Sequence, residues 1–178
     1  MPLGFNSSIY LTYIGKTLVK LRFGFQYKRD WKGNFDFGFN ASKNEIFLKS
    51  PKNIDFLVYN YQKRKLDFID TNNVFHDHQL RYGISIYNMI NFSTGIDYLI
   101  EDKAKFGGIF GVSKWFYKPK INTTFISSIF TDEIDYKIGI SKSILLNHRF
   151  VIRSTSIGLF FENFKDYNDL IINLTFWL

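Results

Sequence analysis

The sequence predicts a β-rich protein, read as an α+β fold of two small domains, 1–91 and 92–178, each an antiparallel sheet with one helix; the alternative is an all-β membrane barrel. Three observations lead there. Apolar residues recur with a period of two over most of the chain, which is strand spacing. Asn and Gly gather at the breaks between apolar runs, where turns need them. Two segments, 78–92 and 164–178, fit helical and strand spacing alike, and the choice between the two folds rests on them.

The elements follow in order. In 19–27, Val19, Leu21, Phe23, Phe25 and Tyr27 alternate with Lys20, Arg22, Gly24 and Gln26. In 35–41, Phe35, Phe37 and Phe39 alternate with Asp36, Gly38 and Asn40. Asp30-Trp31-Lys32-Gly33-Asn34 between them reads as a hairpin connection, with Gly33 available for positive φ. Further strands are predicted at 45–49, 55–61, 65–69, 107–116, 123–130, 134–141, 149–153 and 156–161, and Lys63-Arg64-Lys65 reads as a hairpin tip. In 78–92, Leu80, Ile84, Tyr87 and Asn91 share a helical face, while Leu80, Tyr82, Ile84 and Ile86 alternate. In 164–178, Tyr167, Leu170, Ile171, Leu174, Trp177 and Leu178 fit an amphipathic helix, with Asp166 and Asp169 near its start suiting the helix dipole. There too a strand pattern competes, through Leu170, Ile172, Leu174, Phe176 and Leu178. Two strands make the chain a barrel; two helices make it a pair of α+β units.

The 178 residues suffice to bury a core. The absence of cysteine excludes a disulfide framework, a thiolate nucleophile and a Cys-based zinc site. A net charge of +7 and a pI near 9.4 favour an anionic partner, nucleic acid or an acidic membrane surface. The chain holds 21 Phe, 11 Tyr and 22 Ile against two Ala and three Pro, a balance of AT-rich over GC-rich codons. It points to a low-GC genome, such as a protist mitochondrial or reduced symbiont genome, and assigns much of the aromatic excess to codon supply. The start, Met1 to Ser8, has neither a signal-peptide nor a transit-peptide pattern, so the chain is expected to be already matured or made where it acts.

No motif predicts catalysis. Phe75-His76-Asp77-His78 offers two imidazoles and a carboxylate, but only His148 lies elsewhere, and the run reads as a polar loop rather than a metal site. No Gly-x-Ser-x-Gly elbow, phosphate loop or dinucleotide fingerprint occurs. The serines of Gly111-Val112-Ser113-Lys114 and Gly139-Ile140-Ser141-Lys142 read as strand residues, and Asp132-Glu133-Ile134-Asp135 as a solvated turn. The Asn-x-Ser/Thr triplets at Asn6, Asn40, Asn91, Asn122 and Asn173 read as chance in an Asn-rich chain. No enzyme, cofactor, metal or small-molecule substrate is expected. The basic grouping Lys114, Lys118 and Lys120 around Trp115, Phe116 and Tyr117 has the make-up of phosphate contact with interleaved stacking.

Ile86-Tyr87-Asn88-Met89-Ile90-Asn91-Phe92-Ser93-Thr94-Gly95-Ile96 resembles a signature of the sixth large-subunit ribosomal protein family, in which a helix ends in Asn-Met before a small-residue turn and a glycine. Ile138-Gly139-Ile140-Ser141-Lys142-Ser143-Ile144 is similar to a strand end of the same family, with Lys142 where histidine is usual. The resemblance covers about 86–178 and implies two similar α+β domains docked on large-subunit ribosomal RNA beside neighbouring ribosomal proteins, in a mitochondrial matrix ribosome. With the lysine grouping, it makes Lys114, Trp115, Lys118, Lys120, Lys142, His148, Arg149 and Arg153 the expected RNA-binding residues.

The alternative reading, an outer-membrane barrel, takes the same alternation as lipid-facing and lumen-facing positions. Leu170 to Leu178 then forms an aromatic-rich last strand, and a membrane becomes the partner. Lys63-Arg64-Lys65 and Glu101-Asp102-Lys103 count against it, since they place charge on both faces.

Overall fold

The computed structural model describes residues 3–14, 20–30, 35–50, 52–68, 71–145, 154–165 and 167–177. Eleven strands run through them: β1 (Leu3–Ile14), β2 (Lys20–Asp30), β3 (Phe35–Lys49), β4 (Asn53–Phe68), β5 (Thr71–Ile86), β6 (Ile90–Ile100), β7 (Ala104–Phe116), β8 (Ile121–Ile129), β9 (Ile134–Leu145), β10 (Ser154–Phe164) and β11 (Tyr167–Trp177). Each strand pairs with the next in antiparallel register, and β1 closes on β11 to make a barrel. The closing seam is parallel, Leu3 opposite Leu170 through Tyr10 opposite Trp177. An odd number of up-and-down strands requires this, because the first and last then point the same way. One end of the barrel holds the start of β1 and the connections after β2, β4, β6, β8 and β10. This is called the floor end below, and the opposite end the mouth.

The fold is all-β, with no helix among the described residues, so the α+β expectation is corrected. The segment 78–92 is the second half of β5, a turn and the start of β6. Tyr87 and Asn88 carry φ of 52° and 54°, and Met89 N–H donates to Ile86 O at 2.9 Å. Two successive left-handed residues make a type I′ turn, whose twist matches that of antiparallel strands. Asn-Met therefore turns a hairpin here rather than ending a helix. The segment 164–178 is the end of β10, a turn and β11, which gains ladder hydrogen bonds from both β10 and β1. Backbone pairing on two sides decides against a helix whose apolar stripe would face only one.

Other boundaries move as well. The expected domain boundary at 91/92 falls inside β6. Strand 45–49 is continuous with 35–41 in β3, and 55–61 with most of 65–69 in β4, so Lys63-Arg64-Lys65 lies within a strand and not at a hairpin tip. The predicted strand 149–153 lies outside the described residues.

At the mouth end of β3 the ladder to β4 is broken between Asn44 and Lys49, with Glu45 at φ 58°. Asp55 of β4 repairs the break. Its carboxylate accepts from Ile46 N–H and Phe47 N–H, both at 2.8 Å, and from the Tyr82 hydroxyl at 3.0 Å.

The left-handed turn generates a test. Asn88→Gly is expected to leave the denaturant midpoint unchanged, and Asn88→Val to cost about 1–2 kcal/mol, since a β-branched residue resists positive φ. Equal tolerance of both substitutions would rule out the turn.

Candidate functional site in the lumen and at the mouth rim

Side chains alternate across each strand, and here the two sets differ in chemistry. Among the described residues, 13 polar or charged side chains are buried against seven hydrophobic ones, while 29 large hydrophobics are exposed. A water-soluble protein shows the opposite preference. In β9 the outward set is Ile134, Tyr136, Ile138, Ile140, Lys142 and Ile144, and the inward set is Asp135, Lys137, Gly139, Ser141 and Ser143. In β6, Phe92, Ile96 and Tyr98 point out, while Ser93, Asp97 and Leu99 point in. Ile96 is 56% exposed and the adjacent Asp97 only 2%.

Among the described residues, apolar side chains close across the lumen near the floor end. Leu66, Phe75, Leu99, Phe130 and Phe164 form a buried cluster inside the wall. Phe75 of β5 and Phe164 of β10 meet edge to face across the lumen, their centroids 5.3 Å apart. A polar layer lies directly above. Arg64 of β4 donates to Glu162 of β10 at 3.1 Å, lies 3.7 Å from Asp77, and stacks 4.1 Å from the Phe164 ring centroid. In the closed order β4 and β10 are as far apart as two strands of this barrel can be, so this pair spans the bore. The layer continues sideways. Arg64 donates to Gln62 and Gln62 to Asp36; Gln79 donates to Asp77 and Asp97; Ser128 donates to Asp97; Lys137 pairs with Glu162 at 3.7 Å. Six neighbouring strands, β3 to β6, β8 and β9, are thereby tied to β10.

Above this layer is a cavity of about 340 Å³, with walls that include Asn40, Asn60, Arg81, Thr124 and Asn173. Towards the floor Asp36, Asp77 and Asp97 are buried; towards the mouth Asn91, Ser113, Asn122 and Ser143 are half-buried beside the buried Ser85 and Thr175. The lumen is therefore a polar cup reached from the mouth. Below the seal, the floor-end turns carry a second ionic layer. Lys105 contacts Asp132 at 2.6 Å, and Lys165 contacts Glu133 at 2.6 Å and Glu101 at 3.7 Å. The Lys105 ammonium holds the exposed Asp132 carboxyl below its ordinary value.

Inward glycines make room for rings. A Cβ at Gly139 would lie 2.1 Å from the Phe160 ring, one at Gly83 2.4 Å from Phe56, and one at Gly107 2.7 Å from Phe130. Gly139, read as a family motif, is thus the surface on which Phe160 of the next strand lies.

The sequence-predicted residues divide. Lys114 on β7, Lys118 and Lys120 in the turn after it, and Lys142 on β9 come together on the mouth rim, exposed. The turn is tied to β9 by Ser143 N–H donating to Lys120 O at 2.9 Å. Trp115 points to the opposite face of β7 from Lys114 and packs edge to face on Tyr117 at 6.5 Å. His148, Arg149 and Arg153 lie outside the described residues. The same alternation splits Phe75-His76-Asp77-His78. Both imidazoles face outward, bonded to the hydroxyls of Tyr61 and Tyr59 at 2.9 and 2.8 Å, while Asp77 faces the lumen.

The barrel alternative implies a lumen lined by Lys, Asp, Asn and Ser, but sequence reasoning did not name the positions of the lumen charges. The available signal was an acidic residue held between two outward-facing apolar or aromatic neighbours within a strand, as in Phe35-Asp36-Phe37, Ile96-Asp97-Tyr98 and Ile134-Asp135-Tyr136. Comparison with family models, with curated proteins and with solved structures finds no match to this chain.

The bore-spanning pair makes a prediction. Arg64→Met takes the guanidinium away from the buried carboxylates of Glu162 and Asp77 and is expected to cost about 3–5 kcal/mol. Adding Glu162→Gln should recover part of that loss. A double variant no more stable than the single one would mean that the pair does not carry the contact.

Proposed function

We propose that this protein is a non-catalytic integral β-barrel of an outer membrane, built around a sealed polar cup rather than a through-pore. The inverted polarity of the wall is the observation that carries this reading. An apolar outer band more extensive than a soluble surface tolerates matches hydrocarbon, and closure leaves no strand edge with unpaired backbone, as a bilayer demands. The strands, 9 to 16 residues long, meet the roughly 9–11 residues that a tilted spanning strand needs.

The distribution along the barrel axis supports the same reading. Towards the floor end the outer face carries Phe39, Tyr59, Tyr61, His76, His78 and Tyr98, in mutual ring contacts of 5.0 to 6.3 Å, with Lys63 on the same face. Amphipathic rings and snorkelling lysines belong at a membrane interface. Aliphatic positions such as Leu80, Ile96, Ile138 and Leu159 follow towards the middle, and Tyr87, Phe116 and Tyr117 stand at the mouth. The Arg64 layer and the aromatic seal block passage through the bore, so the protein acts through its cup and its two rims.

The chain, folded in detergent and added to vesicles, is expected to resist extraction by salt and alkali and to show heat-modifiable gel mobility. In planar bilayers it should give no stepwise ion conductance. A folded monomer that stays soluble without detergent would overturn the membrane assignment. Steady conductance would overturn the seal.

A further inference from the structure

The outer face between β7 and β11 is concave near the mouth. A groove of about 510 Å³ runs over Val112, Thr123, Phe125, Ile138, Ile140 and Leu159. Its depth follows from side-chain size: Thr123 stands among larger neighbours, opposite Lys114 on one side and Ile140 on the other. Lys114 closes the groove at the mouth end. Lys142 stands opposite Ile121, one pleat nearer the rim, and Lys118 and Lys120 sit in the adjoining turn.

Charge in this sector has one sign. No Asp or Glu occurs in 103–131 or in 136–161. Among the described residues no carboxylate pairs with Lys114, Lys118, Lys120 or Lys142; the ion pairs of this half of the barrel lie at the floor end and in the lumen. Lys114 instead leans on the Phe116 ring, its Nζ 4.9 Å from the centroid. The site thus has a cationic head at the rim and an apolar trough leading towards the middle of the wall. An anionic phospholipid has the same polarity in the same direction.

Resting on the membrane reading above, we propose that this groove binds an anionic phospholipid, with its phosphate held by Lys114 and Lys142 and an acyl chain laid along Val112, Phe125, Ile138 and Ile140. Within a bilayer an acyl chain gains little by leaving other chains for an apolar groove. Selectivity therefore comes from the lysines, and the trough sets where the phosphate sits.

The test uses the full chain in phosphatidylcholine vesicles with and without phosphatidylglycerol, read by the thermal midpoint of its heat-modifiable band. Phosphatidylglycerol should raise the midpoint of the unaltered protein. Lys114→Gln with Lys142→Gln should remove most of that rise, and Lys114→Arg with Lys142→Arg should keep it. Thr123→Trp, which fills the trough and leaves every lysine in place, should reduce it. Lys43→Gln with Lys52→Gln, on exposed residues of the mouth end in another sector, should leave it intact. No rise in the unaltered protein, or an equal loss in the Lys43/Lys52 pair, would overturn the site while leaving the membrane reading standing. Failure of the chain to enter either vesicle would instead overturn both.

Discussion

The Arg64–Glu162 contact is the constraint around which the interior is arranged. An eight-stranded barrel has a bore that side chains from the wall just fill; eleven strands leave more room, and something must reach across it. Arginine has the length and the forked donor geometry to do so. Taking its charge out of water is costly, and a buried ion pair adds little net stability over apolar packing. What the pair adds is register. A one-residue slip of β4 would carry Arg64 to the outer face and Lys63 and Lys65 into the lumen. The carboxylates of Asp36, Asp77 and Asp97, joined to Arg64 through Gln62 and Gln79, impose the same condition on β3, β5 and β6.

The aromatic seal depends on that polar layer. The Phe164 ring meets both the Arg64 guanidinium and the Phe75 ring, so a cation–π contact couples the apolar floor to the charges above it. Rings elsewhere in the lumen lie flat because their cross-strand partners are glycines, as with Phe56 over Gly83 and Phe160 over Gly139. Glycine weakens a strand, and here the loss is offset by a ring covering the bare backbone, the device that keeps a sheet ordered at such positions.

Much of the strand content was legible in the sequence, because period two survives over most of the chain. The hairpin of β2 and β3 follows from it directly. What failed was the assignment of 78–92 and 164–178, where apolar residues satisfy both periods. No local rule separates the two cases; ladder partners far away in sequence do, and Tyr at the first left-handed position of a turn is not a composition that signals I′ geometry. Three of the four lysines at the mouth, Lys114, Lys118 and Lys120, were legible as a group, and Lys142 joined them through the family resemblance. The positions of the lumen charges were not legible, because a run such as Lys63-Arg64-Lys65 looks solvated until its members are sent alternately out, in and out.

Codon supply was the reason for discounting the Phe and Ile excess, and the structure shows how far that discount reaches. A nucleotide bias acts on every codon without regard to which side of a strand the residue will occupy. It can raise the total of Phe and Ile, but it cannot sort them. In β9 five of the six outward positions are Ile or Tyr, while the five inward ones are Asp, Lys, Gly, Ser and Ser. In β7 Phe106, Phe110, Val112 and Phe116 face out, against Gly107, Ile109, Gly111 and Ser113 facing in. Sorting by parity in these strands requires that the two faces meet different surroundings. Read by parity rather than by total, the same composition that weakened the barrel alternative becomes an argument for it.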